Sequence, residues 1–247
     1  ILASTLRLRN SVLAEMLILA AVFAIGIYVW RHFLGLDAAT WYATPSTGGP
    51  VPTPAGIWYA YVSLPIVQFV TFRWYYRLFL WARLHLKVSR IPLRLAPLHP
   101  DRAGGLGFLG SMGYALTLFA VAHGAATAGF IAGRIFFAGA RLTEFADQVA
   151  LVVVLMVCVI FGPLVAYAPQ LLAAKLKGLR TYGELGERYV RTFDDKWLAG
   201  RAPGDEELIG SADIQSLADL ANSHEVVRTM RIVPTSVDAI LRLVVAT

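Results

Sequence analysis

The sequence predicts an all-α fold, a polytopic membrane helix bundle with cytoplasmic amphipathic helices. Three observations predict it. Mean hydropathy is +0.60, with 57% hydrophobic and only 15% charged residues, whereas globular chains are roughly one quarter charged. Several apolar runs exceed the ~20 helical residues that cross a bilayer core. The Lys and Arg residues behind the net charge of +6 sit mostly between those runs, where membrane topology and anionic lipid explain them better than nucleic acid does. Residues 1–174 read as a four-span bundle. Residues 175–247 read as a cytoplasmic helical region leading toward a further span.

The elements follow in order. Ile1 to Asn10, with Arg7 and Arg9, is a cytoplasmic lead-in. Ser11 caps a first span over Val12 to Trp30, with Glu15 in its first turn and Tyr28 and Trp30 as interfacial aromatics. Arg31 to Ala55 is rich in Pro and Gly, so it reads as an external loop punctuated against helix and strand. The second span begins near Ile57 and reaches Leu84, with a kink expected at Pro65. That helix is about 42 Å long, so it tilts or projects. The basic loop Lys87 to Arg102 faces the cytoplasm by the positive-inside rule. The third span, Leu106 to Ala138, is about 49 Å long. Its Gly129 and Gly133 are one turn apart, the small-residue spacing that lets helices approach closely in lipid.

Gly139 to Gln148 is a short outer turn, and the fourth span runs Val149 to Leu172, with bends expected at Gly162-Pro163 and Pro169. Lys175 to Leu198 continues as an amphipathic helix, since Leu179, Tyr182, Leu185, Tyr189, Phe193 and Trp197 recur at three- and four-residue steps. Ala199 to Asp205 is a loop. Ser211 caps a helix over Ala212 to Asn222, and Ser236 or Asp238 starts a last helix. Ala239 to Ala246 is too short to span yet reads as the beginning of a span, which predicts that the chain continues. Both termini are expected in the cytoplasm. The span pairs show no internal repeat, so an inverted-repeat transporter has no support.

Three stretches carry a resemblance: Leu98-His99-Pro100-Asp101-Arg102-Ala103-Gly104-Gly105-Leu106, then Tyr182-Gly183 through Tyr189-Val190 to Lys196-Trp197, then Gly210 to Leu220. Together they resemble a group of bacterial inner-membrane proteins with an LHPDRAGGL loop, over the chain from the second span to its end. The resemblance implies the topology and a bacterial inner-membrane location. It implies no activity.

Few residues carry chemistry. His99, Arg102, Gly104 and Gly105 precede a helix N-terminus, which offers free N–H groups to an anion, and Arg90 and Arg94 add charge. The functional reading is an anion or lipid-headgroup site. The structural reading is a turn in which Asp101 caps a helix and the glycines allow close approach. His123 lies mid-span, where an ionisable group faces a pore, a cavity or a partner. It is either a proton-relay group, since histidine changes charge in the physiological range, or a neutral hydrogen-bonder between helices. Glu15, Arg73 and Arg77 lie at similar depth. They form either an inter-helix ion pair or an Arg-ringed constriction.

No cofactor and no metal are expected. Cys158 is the single cysteine, so neither a disulfide nor a Cys-based metal site arises within the chain. A haem needs a second axial His at matching depth, and His32, His85, His99 and His224 fall in loops or at helix ends. The sequence lacks HExxH, P-loop and Ser-His-Asp patterns, which makes an enzyme the weakest class. The expected function is an ion channel or transporter subunit whose path includes His123, Glu15, Arg73 and Arg77. The alternative is a non-conducting scaffold or accessory subunit of a larger membrane complex. The expected partners are the lipid bilayer and either further copies of the chain or other membrane subunits, with no nucleic acid.

Overall fold

A computed structural model describes residues 2–26, 28, 39–46, 51–204 and 206–247. The far end of the first expected span with Trp30, the loop residues 31–38 with His32, the loop tip 47–50, and Asp205 lie outside the described residues. Among the described residues the chain is all-α apart from one small ribbon. In order come α1 (Leu2–Arg9), α2 (Val12–Ala21), β1 (Ala43–Thr44) paired antiparallel with β2 (Val51–Pro52), α3 (Pro54–Val88) and α4 (Gly107–Ala138). Then follow α5 (Ala146–Phe161), α6 (Ala168–Phe193), α7 (Ala212–Arg228) and α8 (Val237–Ala246).

Among the described residues three helical stretches are long and apolar enough to cross a bilayer: α3, α4 and Leu142–Leu198, which contains α5 and α6. Only 17%, 22% and 22% of their most apolar windows is buried within the protein. Side chains this apolar and this uncovered need lipid as solvent, so the chain is a membrane protein with transmembrane helices. The apolar helix Val12–Ala24 is shorter among the described residues.

Local chemistry sets the helix ends and bends. The Ala14 N–H donates to Ser11 Oγ at 3.4 Å, so Ser11 caps α2 as expected. The bend anticipated at Pro65 is a π-turn over Tyr59–Ser63, one turn ahead of the proline. Proline lacks an N–H and crowds the carbonyl of the preceding turn, and a wider turn there relieves both. The bend at Gly162-Pro163 is a 3₁₀ stretch, Gly162–Tyr167. The residues before Asn10 form a helix, α1. Two expectations need correction. The loop expected to avoid strand carries the β1–β2 ribbon. Ser211 stands at the N-cap of α7, but its hydroxyl is buried without a hydrogen-bond partner, and α7 extends to Arg228 rather than Asn222.

The chain divides into two compact units, and the division differs from the sequence-based split at residue 174. The first holds residues 1–88, 116–163 and 241–247, and the second 89–115 and 164–240. The loop after α3 therefore belongs with the helices that follow residue 163. In the first unit, Val22, Ala60, Leu78, Ala120, Met156 and Ile160 are buried. Backbone comes close at two of its glycines: a Cβ at Gly56 would stand 1.9 Å from the Tyr42 carbonyl oxygen, and one at Gly124 2.1 Å from the Thr247 carbonyl oxygen. In the second unit, Ala103, Leu164, Tyr167, Leu171, Val227 and Met230 are buried. Its helices α6 and α7 pack along each other.

Candidate functional site

In the first unit the in-span polar groups meet one another. His123, on α4, lies between a backbone carbonyl and α3. Its Nδ1 is 2.8 Å from the Phe119 carbonyl oxygen, and its Nε2 is 2.8 Å from the Tyr75 hydroxyl. A carbonyl only accepts, so Nδ1 carries a proton and donates to it, while the Tyr75 hydroxyl, which can donate or accept, meets Nε2. Both ring nitrogens are thus engaged. Phe119 packs on it with ring centroids 4.3 Å apart. Glu15 of α2 pairs with Arg73 of α3 at 2.7 Å. Arg77 shares the helix face of Arg73 but lies over the Trp74 ring, 5.4 Å from its centroid. Glu15 and Arg73 are thus brought together, while Arg77 and His123 each engage an aromatic residue.

Gly129 and Gly133 do not make the expected close contact within the chain. A Cβ at either meets no described atom within 4 Å, and Gly124 supplies the close approach instead. Both glycines line an open groove of 550 Å³ that includes Trp41, Tyr59, Phe130 and Arg134.

In the second unit the LHPDRAGGL loop is wound around Asp101. Its Oδ1 accepts from the N–H groups of Ala103 at 2.7 Å and Gly105 at 3.2 Å, and its Oδ2 accepts from Gly107 at 2.7 Å. His99 Nδ1 stands 2.9 Å from Oδ1. Partial burial pushes the Asp101 pKa up. The N–H groups of Ala103, Gly107 and Gly105, with His99, outweigh that and hold it below the usual carboxylate range. To present these N–H groups the backbone turns left-handed at Arg102 (φ 52°), Gly104 (φ 65°) and Gly105 (φ 97°). Two of these positions suit glycine, and at Gly104 a Cβ would also press on Met230 at 3.1 Å. The N–H groups that would greet an anion at this helix start are therefore taken by the chain's own carboxylate. Among the described residues Arg90 and Arg94 form no ion pair, and Arg94 lines a groove with Leu93, Leu95 and Lys177 rather than the Asp101 turn.

Residues that sequence reasoning missed hold this loop. Arg231 donates to the Asp101 carbonyl at 2.7 Å and to the Thr235 carbonyl at 3.0 Å, and its backbone N–H donates to the Arg102 carbonyl at 2.7 Å. Gln170 accepts from the Leu93 N–H at 3.0 Å and donates to the Ile91 carbonyl at 2.9 Å and to the Ser89 carbonyl. Lys175 donates to the Met230 carbonyl at 2.8 Å. No local pattern marks these residues, because, Thr235 apart, their partners lie 55 to 130 positions away. Further along, Lys196 reaches Asp213 at 2.8 Å and Glu206 at 2.5 Å, and the Trp197 indole donates to Asp213 at 3.0 Å. The Lys196 ammonium, with that indole, holds Asp213 below the usual carboxylate range.

Among the described residues no group of three His, Cys, Asp or Glu side chains could hold a metal ion. Compared with family models, curated proteins and solved structures, the chain matches none.

Proposed function

We propose that the protein is a non-conducting helical subunit of a bacterial inner-membrane assembly, with both termini in the cytoplasm. His123 carries this reading. To relay a proton, the ring would have to carry a proton on Nε2 as well, turning the Tyr75 hydroxyl to acceptor and placing a charge within the span where, among the described residues, it has no ion-pair partner. A mid-membrane charge is costly unless it is paired or hydrated. One pair of the other in-span charges supports the same reading, since Glu15 and Arg73 neutralise each other. The basic loops at Lys87 to Arg102 and Lys175 to Arg191 support the orientation. The helix pair α6–α7, tied by Lys196 and Asp213, would then be what a cytoplasmic partner meets.

The conducting reading keeps one supporting observation, the uncovered Gly129–Gly133 face. A ring of copies could use that face around an axial path. Flux in reconstituted vesicles separates the two. The expected result is no flux above protein-free vesicles in potassium, sodium, chloride or proton gradients between roughly pH 5 and 8. A wild-type flux that His123→Ala alters would overturn the proposal and restore the conducting reading.

A further inference from the structure

We propose that the groove between the loop Pro92–Pro97 and the start of α6 binds the headgroup of an anionic phospholipid. Its helical wall is one stripe of α6, in which Gln170, Ala173, Ala174, Lys177, Thr181 and Tyr182 follow at three- and four-residue steps. The facing wall is the loop with Leu93, Arg94 and Leu95. The groove encloses 690 Å³, the size of a ligand pocket rather than a packing gap.

Both walls are fixed. Gln170 ties down Ser89, Ile91 and Leu93 through its amide. Pro97 lies against Gly178 so closely that a Cβ there would come within 2.7 Å of it. The site thus needs no ligand to form.

Its chemistry selects the ligand. Arg94 and Lys177 face the groove, no acidic residue lines it, and among the described residues neither cation has an ion-pair partner. The nearby Arg180 is matched by Glu184, at 3.4 Å. Thr181 and Tyr182 also line the groove. The rest of the lining is mainly apolar, with Leu93, Leu95, Ala173 and Ala174. A free phosphate has no use for apolar walls, whereas a phospholipid has a phosphate for the cations and acyl chains for the walls. The position fits as well: the stripe starts at Gln170, where the apolar run Val149 to Leu172 gives way to Lys175 and Lys177. Juxtamembrane cations there meet lipid headgroups. This inference requires a membrane protein but holds whether or not the chain conducts.

The test uses the full chain, purified in mild detergent, with lipid retention read by native mass spectrometry. The wild type is expected to retain phosphatidylglycerol about thirtyfold better than phosphatidylcholine, a preference that the two cations supply, and inorganic phosphate should not displace it. The Arg94→Gln/Lys177→Gln double variant should bind phosphatidylglycerol roughly thirtyfold more weakly, and each single variant roughly fivefold, at the worth of one surface cation near anionic lipid. Phosphatidylcholine retention should not change. Arg180→Gln, outside the groove, should bind as the wild type does, and circular dichroism checks that each variant is folded. Equal retention of the two lipids, or an undiminished preference in either single variant and the double variant, overturns the proposal. Displacement by inorganic phosphate at millimolar concentration overturns the lipid assignment in favour of a free anion.

Discussion

Replacing Asp101 with Ala removes the acceptor from three backbone N–H groups at once. Two of those bonds are 2.7 Å long and one is 3.2 Å. A net hydrogen bond to a charged group contributes about 1.5–3 kcal/mol. The Asp101 side chain keeps 21% of its exposure, so water can take over part of what is lost, and the third bond is weak. A cost of about 3 kcal/mol follows, near twice that of an ordinary N-cap. Asp101→Asn keeps one carbonyl oxygen, enough for Ala103 and Gly105, but turns an NH₂ toward the Gly107 N–H. Its cost should be about half as large. Thermal melting of the purified proteins in one detergent should rank wild type above Asp101→Asn above Asp101→Ala. The pH dependence has a definite sign. The folded pKa is depressed, so the carboxylate's stabilisation is complete above its unfolded pKa, roughly pH 4. It is lost as pH falls through the lower folded value. The gap between wild type and Asp101→Asn should therefore be full at neutral pH and close on strong acidification. An Asp101→Ala protein as stable as wild type at neutral pH, or a gap that widens in acid, would refute the account of the loop.

Five further outcomes are expected. Tyr75→Phe and His123→Ala should each destabilise the protein, with a coupling of about 0.6–1.7 kcal/mol in a double-mutant cycle, as for hydrogen bonds between membrane helices; additive effects would mean that the 2.8 Å contact does no work. Gly178→Ala should lower the melting temperature, because the new Cβ meets Pro97 at 2.7 Å and Val227 at 2.9 Å and overpacking of about 1–3 kcal/mol exceeds the helix-propensity gain. Gly183→Ala, which meets nothing within 4 Å, should be neutral or raise stability by up to about 1 kcal/mol. Gly133→Leu should leave the melting of the single chain unchanged and weaken any assembly seen by size-exclusion chromatography with light scattering; unaltered assembly would remove that face from consideration. In a Cys158→Ala background, an impermeant thiol reagent applied outside intact cells should label Ser46→Cys and spare Arg90→Cys, and the opposite pattern would invert the proposed orientation.

The sequence by itself determined the elements and their solvent. Hydropathy and helical period are local quantities, so the long apolar helices, the Ser11 cap, the irregular turns near Pro65 and Pro163, and the amphipathic stripe after Lys175 are all visible in short windows. The sequence also placed Asp101 next to a helix start, and its capping alternative describes the bonds the carboxylate makes. Only the tertiary structure decided which groups are partners. Tyr75 lies 48 positions from His123, Gln170 lies 77 from Leu93, and Arg231 lies 130 from Asp101. Those pairings depend on how far each helix is rotated and shifted against its neighbour, and that register is set by side-chain packing summed over the whole contact. The same holds for glycine. Gly124, Gly129 and Gly133 read alike along the chain, but only Gly124 has another backbone against it, because a close approach belongs to two segments and a sequence window holds one.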